Sequence, residues 1–355
     1  MSVEITPRDY SLLGHNNKLA EEHGLASAEW YASPISRKRL KELMQRRDGP
    51  AIRDTLIWFA SLAITGGLAF HFWHTWWCAP FFIAYGVLYC SASDSRWHEC
   101  GHRTAFRTTW MNDFVYEMAS FMVLRESTSW RWSHTRHHTD TIIVGRDPEI
   151  AVPRPPDFAG IALNFFSLQS GLAEYRRMLL HCIGRITAEE KTYVPESEWP
   201  RIFRIARIWT AIYVVVIGAS IALHSILPLM FIGLPTYYGA WLLVIFGLTQ
   251  HAGLAEDVLD HRLNSRTVYI NPIFRFIYWN MNYHVEHHMF PMVPYHALPA
   301  LHQEIKADLP KPYGSLIEAY REIIPALLHQ ARDPYYHVKR KLPATAKSVE
   351  GAMPV

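Results

Sequence analysis

Residues 209–255 read WTAIYVVVIGASIALHSILPLMFIGLPTYYGAWLLVIFGLTQHAGLA, 47 consecutive positions without an Asp, Glu, Lys or Arg. A bilayer core takes roughly 20 apolar residues per helical crossing, so this stretch is long enough for two. Pro228, Gly233 and Pro235 mark the turn between them. Two further uncharged runs, Thr55–Trp73 and Thr75–Ser93, lie upstream. The expected spans are 54–73, 75–93, 208–226 and 229–250, arranged as two hairpins. Buried helices of soluble proteins are usually shorter and amphipathic, and four such runs are hard to place in a soluble core. Trp73, Trp76, Trp77 and Trp209 gather at the run ends, as suits membrane interfaces. The expected fold class is therefore an all-α integral membrane protein, four transmembrane helices under a cytoplasmic helical cap.

Charge gives the orientation. Arg37, Lys38, Arg39, Lys41, Arg46 and Arg47 precede the first span and place the N-terminus in the cytoplasm. Four crossings return the C-terminus to the same side. The expected organisation is a cytoplasmic arm (1–50), a membrane domain (51–340) and a disordered tail (341–355). No cleavable signal peptide is read in the polar first thirty residues, and a bacterial inner membrane is favoured over the endoplasmic reticulum. A net charge of +3 with interspersed acids gives no support for nucleic-acid binding. Four cysteines without paired spacing give none for disulfides.

Outside the spans, helices are expected at Ser36–Arg46, Asn112–Leu124, Ile161–Ile183, Ile273–His288 and Ser315–His329, the last interrupted or ended near Pro325. Gly145–Asp157 reads as a loop.

The chemistry lies in the histidines. His98 and His102 are four apart, His134, His137 and His138 stand at i, i+3 and i+4, and His284, His287 and His288 repeat that spacing. Residues three and four apart share a helix face, so each set is expected to aim at one point. His251 stands where the fourth span should emerge, level with the others. All nine fall on the cytoplasmic side. Neutral imidazole is a ligand for iron, zinc and copper, and one zinc takes only three or four protein ligands, so this number is enough for two metals. His71, His74, His181, His224, His261, His296 and His302 read as structural.

A rival reading is local. His98-Glu99-Cys100-Gly101-His102 matches the zinc-protease pattern of two ligands and a glutamate base, but leaves six clustered histidines unused. In the two-metal reading, Glu99 instead accepts an imidazole proton. A non-catalytic metal- or lipid-binding membrane protein is a further alternative.

Together His98-Glu-Cys-Gly-His102, His134-Thr-Arg-His137-His138 and His284-Val-Glu-His287-His288 resemble the three histidine boxes of membrane fatty acid desaturases, the first box especially those of the acyl-lipid Δ12 and ω3 members. Gln250-His251 and the run from Asn282 to Pro291 carry the same likeness, over roughly residues 84–309. The resemblance implies a dioxygen-dependent enzyme with two non-haem irons, with His98, His102, His134, His137, His138, His251, His284, His287 and His288 as ligands. It implies a lipid acyl substrate and electrons from a ferredoxin, cytochrome b5 or similar carrier, because no His-Pro-Gly-Gly haem motif occurs in the sequence. Hydroxylases of lipids, alkanes or small metabolites share this scaffold. The Gly145-Arg146-Asp147-Pro148-Glu149 loop is not a feature of the well-known acyl desaturases and reads either as a surface loop or as a lid over an unusual substrate site.

Overall fold

The computed structural model describes residues 8–346, and most of the tail expected to be disordered lies outside them. Among the described residues the chain is helical, without strands and with two isolated bridges, Thr267–Tyr283 and Val268–Tyr313.

Helix α1 (Asp48–His71) runs for 24 residues. Asp48 in its first turn suits the positive end of the helix and also accepts the Thr108 backbone N–H at 2.9 Å. One face, including Trp58, Leu62 and Ala69, is buried, while Leu56, Ile57, Ile64 and Phe70 face outward. α2 (Cys78–Gly86) passes through a π-helical turn (Val87–Ser91) into α3 (Ala92–Gly101). The second expected span thus continues past residue 93 as a helix that carries His98. This helix meets the chain at Gly239 through Gly86: a Cβ on Gly239 would lie 1.9 Å from the Gly86 carbonyl oxygen, so the two backbones touch. At the same contact, the Ser91 hydroxyl donates to the Gly239 carbonyl at 2.6 Å.

α4 (Thr109–Val123) ends at left-handed Leu124 (φ 57°). α5 (Ser127–Thr139) starts on the Glu126 carboxylate, which accepts the N–H groups of Thr128 and Ser129. The helix expected over Ile161–Ile183 is broken by left-handed Ser167 (φ 50°), leaving Phe158–Asn164 and α6 (Leu168–Cys182).

α7 (Trp199–Ala222) belongs to the segment Glu196–Ala222, which is the one helix among the described residues long and apolar enough, by length and composition, to cross a membrane. Val214, Val215, Ile217 and Ile221 on it are exposed. The expected fourth span is not one continuous helix. Short turns at Leu227–Phe231 and Pro235–Tyr238 precede α8 (Trp241–His251) of 11 residues, which rises only about 16 Å. Pro228, Pro235 and Gly233 (φ 100°) are the breaks.

The helix expected over Ile273–His288 also divides. Left-handed Trp279 (φ 43°) and Asn280 (φ 58°) separate Pro272–Ile277 from α9 (His284–Met289). α10 (Leu316–Gln330) runs through Pro325 rather than ending there, started by the Ser315 side chain on the Glu318 N–H. In the arm, a helix spans Arg37–Leu43 with Ser36 as its cap. The arm lies against the cap: Trp30 donates to the Thr139 carbonyl at 3.0 Å, Ser33 and Tyr31 bond Asp308 at 2.6 Å, and Arg8 pairs with Glu256 at 2.8 Å.

Candidate metal centre

Four elements deliver the nine histidines. α3 ends in His98 and its cap His102, α5 carries His134, His137 and His138, α8 closes on His251, and α9 carries His284, His287 and His288. The side chains meet in two groups. One holds His98, His102, His134, His138 and His287; the other holds His137, His251, His284 and His288. Within each group the candidate ligand atoms all lie within 4.8 Å of one another.

The expectation that each triplet aims at one point is thus corrected. Successive residues turn about 100°, so i and i+4 lie about 40° apart while i+3 lies about 60° to the other side. His134 and His138 therefore go to the first group and His137 to the second. On α9 the division is reversed: His284 and His288 go to the second and His287 crosses to the first. The two triplets interlock the groups.

The ring nitrogens meet in a pattern that hydrogen bonding does not satisfy. Nε2···Nε2 separations are 2.7 Å for His98–His287, 3.1 Å for His102–His134 and His134–His138, and 3.2 Å for His138–His287. In the second group they are 3.0 Å for His251–His284 and for His284–His288. Several of these nitrogens are bare lone pairs. His251 Nδ1 faces the Asn264 carbonyl at 2.8 Å, an oxygen that only accepts, so the proton is on Nδ1 and Nε2 has none. His134 Nδ1 donates to Glu149 at 2.9 Å and His137 Nδ1 to Asp147 at 2.8 Å. The Thr141 hydroxyl donates to the His137 carbonyl at 2.7 Å and so meets His288 Nδ1, at 3.3 Å, as an acceptor. Converging lone pairs repel unless a cation lies between them. Two imidazole nitrogens each about 2.1 Å from one ion at a right angle would be about 3.0 Å apart, which is the separation found. The residues fit two metal ions.

Burial, reinforced by the neighbouring imidazoles, holds His98, His102, His138, His284, His287 and His288 well below the usual histidine range. Burial likewise, with His137 beside it, keeps His251 low. This favours the neutral imidazole, the form that can bind a metal. For His137 burial acts downward too, but the Asp147 carboxylate outweighs it and raises the group. Burial opposes ionisation of Glu149, yet His134 beside it brings the acid down to about 2.

Asp147 and Glu149 come from the loop read in sequence as a surface turn or lid. They follow His137 and His134 by 10 and 15 residues; sequence reasoning missed them, and two acids so soon after a histidine triplet are the signal that could have found them. Gly145 (φ 78°) turns this loop close beneath the arm, where Asn17 and Glu21 bind Arg146 at 3.0 Å. Glu99 does not support an imidazole. It accepts from the Tyr295 N–H at 3.0 Å and the Thr104 hydroxyl, and burial raises it to about 8. Glu286 likewise turns away, accepting from His302 and, at 2.6 Å, from Thr267, which anchors α9. His302 and His181 are the hydrogen-bonded structural residues expected, His181 on Glu190 at 3.0 Å. His261 packs closer to the centre than a structural role required: it stacks on Trp30 at 4.3 Å and its ring lies 5.1 Å from His288.

A cavity of about 400 Å³ reaches both groups, touching His98 and His134 of the first and His137, His251 and His284 of the second. Its wall mixes aliphatic side chains such as Ile142, Val152, Leu243 and Leu248 with Asp94, Arg125, Glu174 and Arg154.

The chain is 24% identical over 235 residues to the sn-1 oleoyl-lipid 12-desaturase of Anabaena variabilis, covering 65% of this chain and 55% of that protein. It is 32% identical over 93 residues to the Delta(12)-acyl-lipid-desaturase of Punica granatum, covering 26% and 22%. It is 26% identical over 233 residues to the Delta(5) fatty acid desaturase fat-4 of Caenorhabditis elegans, covering 57% and 51%. The chain thus spans about half or less of the length of these relatives. Residues 71–320, a stretch that holds all nine histidines of the centre, match the fatty acid desaturase family, and the chain belongs to that family.

Proposed function

We propose that the protein is a dioxygen-dependent oxidoreductase with two non-haem irons that introduces a double bond into a lipid acyl chain. The observation that carries this is the pair of interlocked imidazole groups, one of five nitrogens and one of four. His98, His102, His134, His138 and His287 hold one iron; His137, His251, His284 and His288 hold the other. The irons, when bound, supply reductive activation of dioxygen and removal of hydrogen from an unactivated carbon.

The chain's own residues do the rest. Asp147, Glu149 and the Asn264 carbonyl fix the tautomer and direction of three rings. Glu286, held by His302 and Thr267, keeps α9 seated. The cavity brings a C–H bond to a centre from which bulk water is excluded. Glu99 is held by Thr104 and Tyr295 and is not presented as a protease base.

The outward apolar faces of α1 and α7 support a membrane protein whose chain crosses four times, the fourth crossing being the broken helix that ends in α8. Both termini and the centre then lie on the cytoplasmic side, in a bacterial inner membrane. A ferredoxin, cytochrome b5 or similar carrier supplies electrons.

The test is iron content of detergent-purified protein, followed by mass spectrometry of a lipid extract incubated with dioxygen and reductant. The parent is expected to hold about two irons and to give products two hydrogens lighter. His287→Ala should weaken one iron and His137→Ala the other. One zinc per chain, unaffected by either change but lost in His98→Ala, would overturn the reading.

A further inference from the structure

The wall of the cavity is not what a plain hydrocarbon chain requires. Arg125 and Asp94 pair there. The guanidinium lies over Trp97 at 4.4 Å and over Trp130 at 4.8 Å. Trp97 in turn lies 5.2 Å from the His134 ring, so one indole separates Arg125 from the first group of histidines.

The neighbouring acids are already engaged. Glu149 accepts from Ser133 and His134, and Glu174 from Trp130 and Arg177. Arg125 is different. Of its five N–H donors, one of the two at Nη1 bonds to Asp94, and 22% of its side chain remains accessible, as does 16% of that of Asp94. Methylene groups laid against this pair would strip its water and return no hydrogen bond, a cost that a polar group avoids. The volume, about 400 Å³, is at the lower end of the roughly 300–1,000 Å³ of sites for small organic ligands.

We propose that Arg125 and Asp94 form a subsite for a polar, hydrogen-bonding group of the substrate, so that the oxidised carbon lies a few bonds from that group rather than in the middle of a long chain. The inference rests on the two-metal reading above. The group recognised offers both an acceptor, for Arg125, and a donor, for Asp94. A lipid held by its polar end and a compact polar molecule free in solution both supply that chemistry.

The experiment uses iron-loaded full chain in phospholipid nanodiscs with two photolabels: an oleoyl phosphatidylcholine with a diazirine in mid-chain, and one with the diazirine on the head group. Label is mapped by peptide mass spectrometry over residues 123–130. The mid-chain label is expected to be excluded from the parent and from Arg125→Lys. It should enter the Asp94→Leu/Arg125→Met double variant at least tenfold more, at equal iron content. Head-group label in the parent identifies a lipid source; neither label in the parent, together with entry into the double variant, identifies a soluble polar substrate. Mid-chain label in the parent, or exclusion that persists in the double variant, overturns the subsite. Iron content in the same preparations reports separately on the metal centre: chains without iron would refute the two-metal reading whatever the labelling.

Discussion

Replacing Asp147 with Asn should release one metal ion before the other. The Asp147 side chain is fully buried and its two oxygens accept three bonds: from His137 Nδ1 at 2.8 Å, from the Ile142 N–H at 2.7 Å and from the Glu149 N–H at 2.8 Å. An Asn has one accepting oxygen. Placed where it keeps His137 and Ile142, it sets its own NH2 against the Glu149 N–H, donor against donor. Leaving a buried N–H unmatched costs about 1–3 kcal/mol of stability. The loss of charge behind His137 also weakens that ligand, and changes of this kind lower metal affinity about 10–100-fold, or about 1.4–2.7 kcal/mol. His137 belongs to the second group alone. Titrating iron-loaded protein with a chelator should therefore show two steps in Asp147→Asn, the first displaced by one to two decades of chelator concentration and the second close to the parent. Loss of both irons together at the parental chelator concentration would refute the reasoning, because Asp147 would then contribute nothing specific to His137.

Two other outcomes follow from the same geometry. Glu99 is held protonated, its folded value about 8 against 4.5 for the free side chain. Between those values the unfolded chain has given up a proton that the folded chain keeps, so stability falls as pH rises through this window. Denaturant titrations across pH 4.5–8 should show that slope reduced in Glu99→Gln, whose carbonyl still accepts from Tyr295 and Thr104, with iron content unchanged; an iron-free Glu99→Gln would place Glu99 at the metals after all. Gly239→Ala puts a Cβ 1.9 Å from the Gly86 carbonyl oxygen and should cost about 3 kcal/mol or more, read as a lower midpoint in denaturant; a midpoint equal to the parent's would mean that the two backbones are not in contact.

Eight of the nine ligand candidates were legible because spacings of three and four are a local property of a helix, independent of what surrounds it; His251 was legible from its place at the end of an apolar run. The apolar run that forms α7 was legible for a similar reason: length and lack of charge are written directly in the chain. The failures arose where backbone conformation is set by distant partners. The break at Trp279 and Asn280 has no Gly or Pro at the two left-handed positions; Asn280 is a residue that tolerates that conformation, but left-handed Trp279 had no local signal. Pro228, Gly233 and Pro235 were legible as the turn before the fourth span, and the chain breaks there; what stayed hidden was that the turns run on to Tyr238 and leave α8 only 11 residues.

How the nine histidines divide was decided by tertiary structure. Spacing alone sends each triplet to one point; the 100° between i+3 and i+4 lets a triplet serve two, and only the facing of α5 against α9 selects that outcome. The roles of the acids also reversed. Glu99, beside His98 in the chain, bonds to Thr104 and Tyr295 instead, while Asp147 and Glu149 reach back ten and fifteen residues to hold His137 and His134. Sequence determined which groups could bind metal, because ligand chemistry belongs to the side chain. Structure decided which nitrogen keeps its proton and which carboxylate faces it, because those depend on partners that only folding brings within 3 Å.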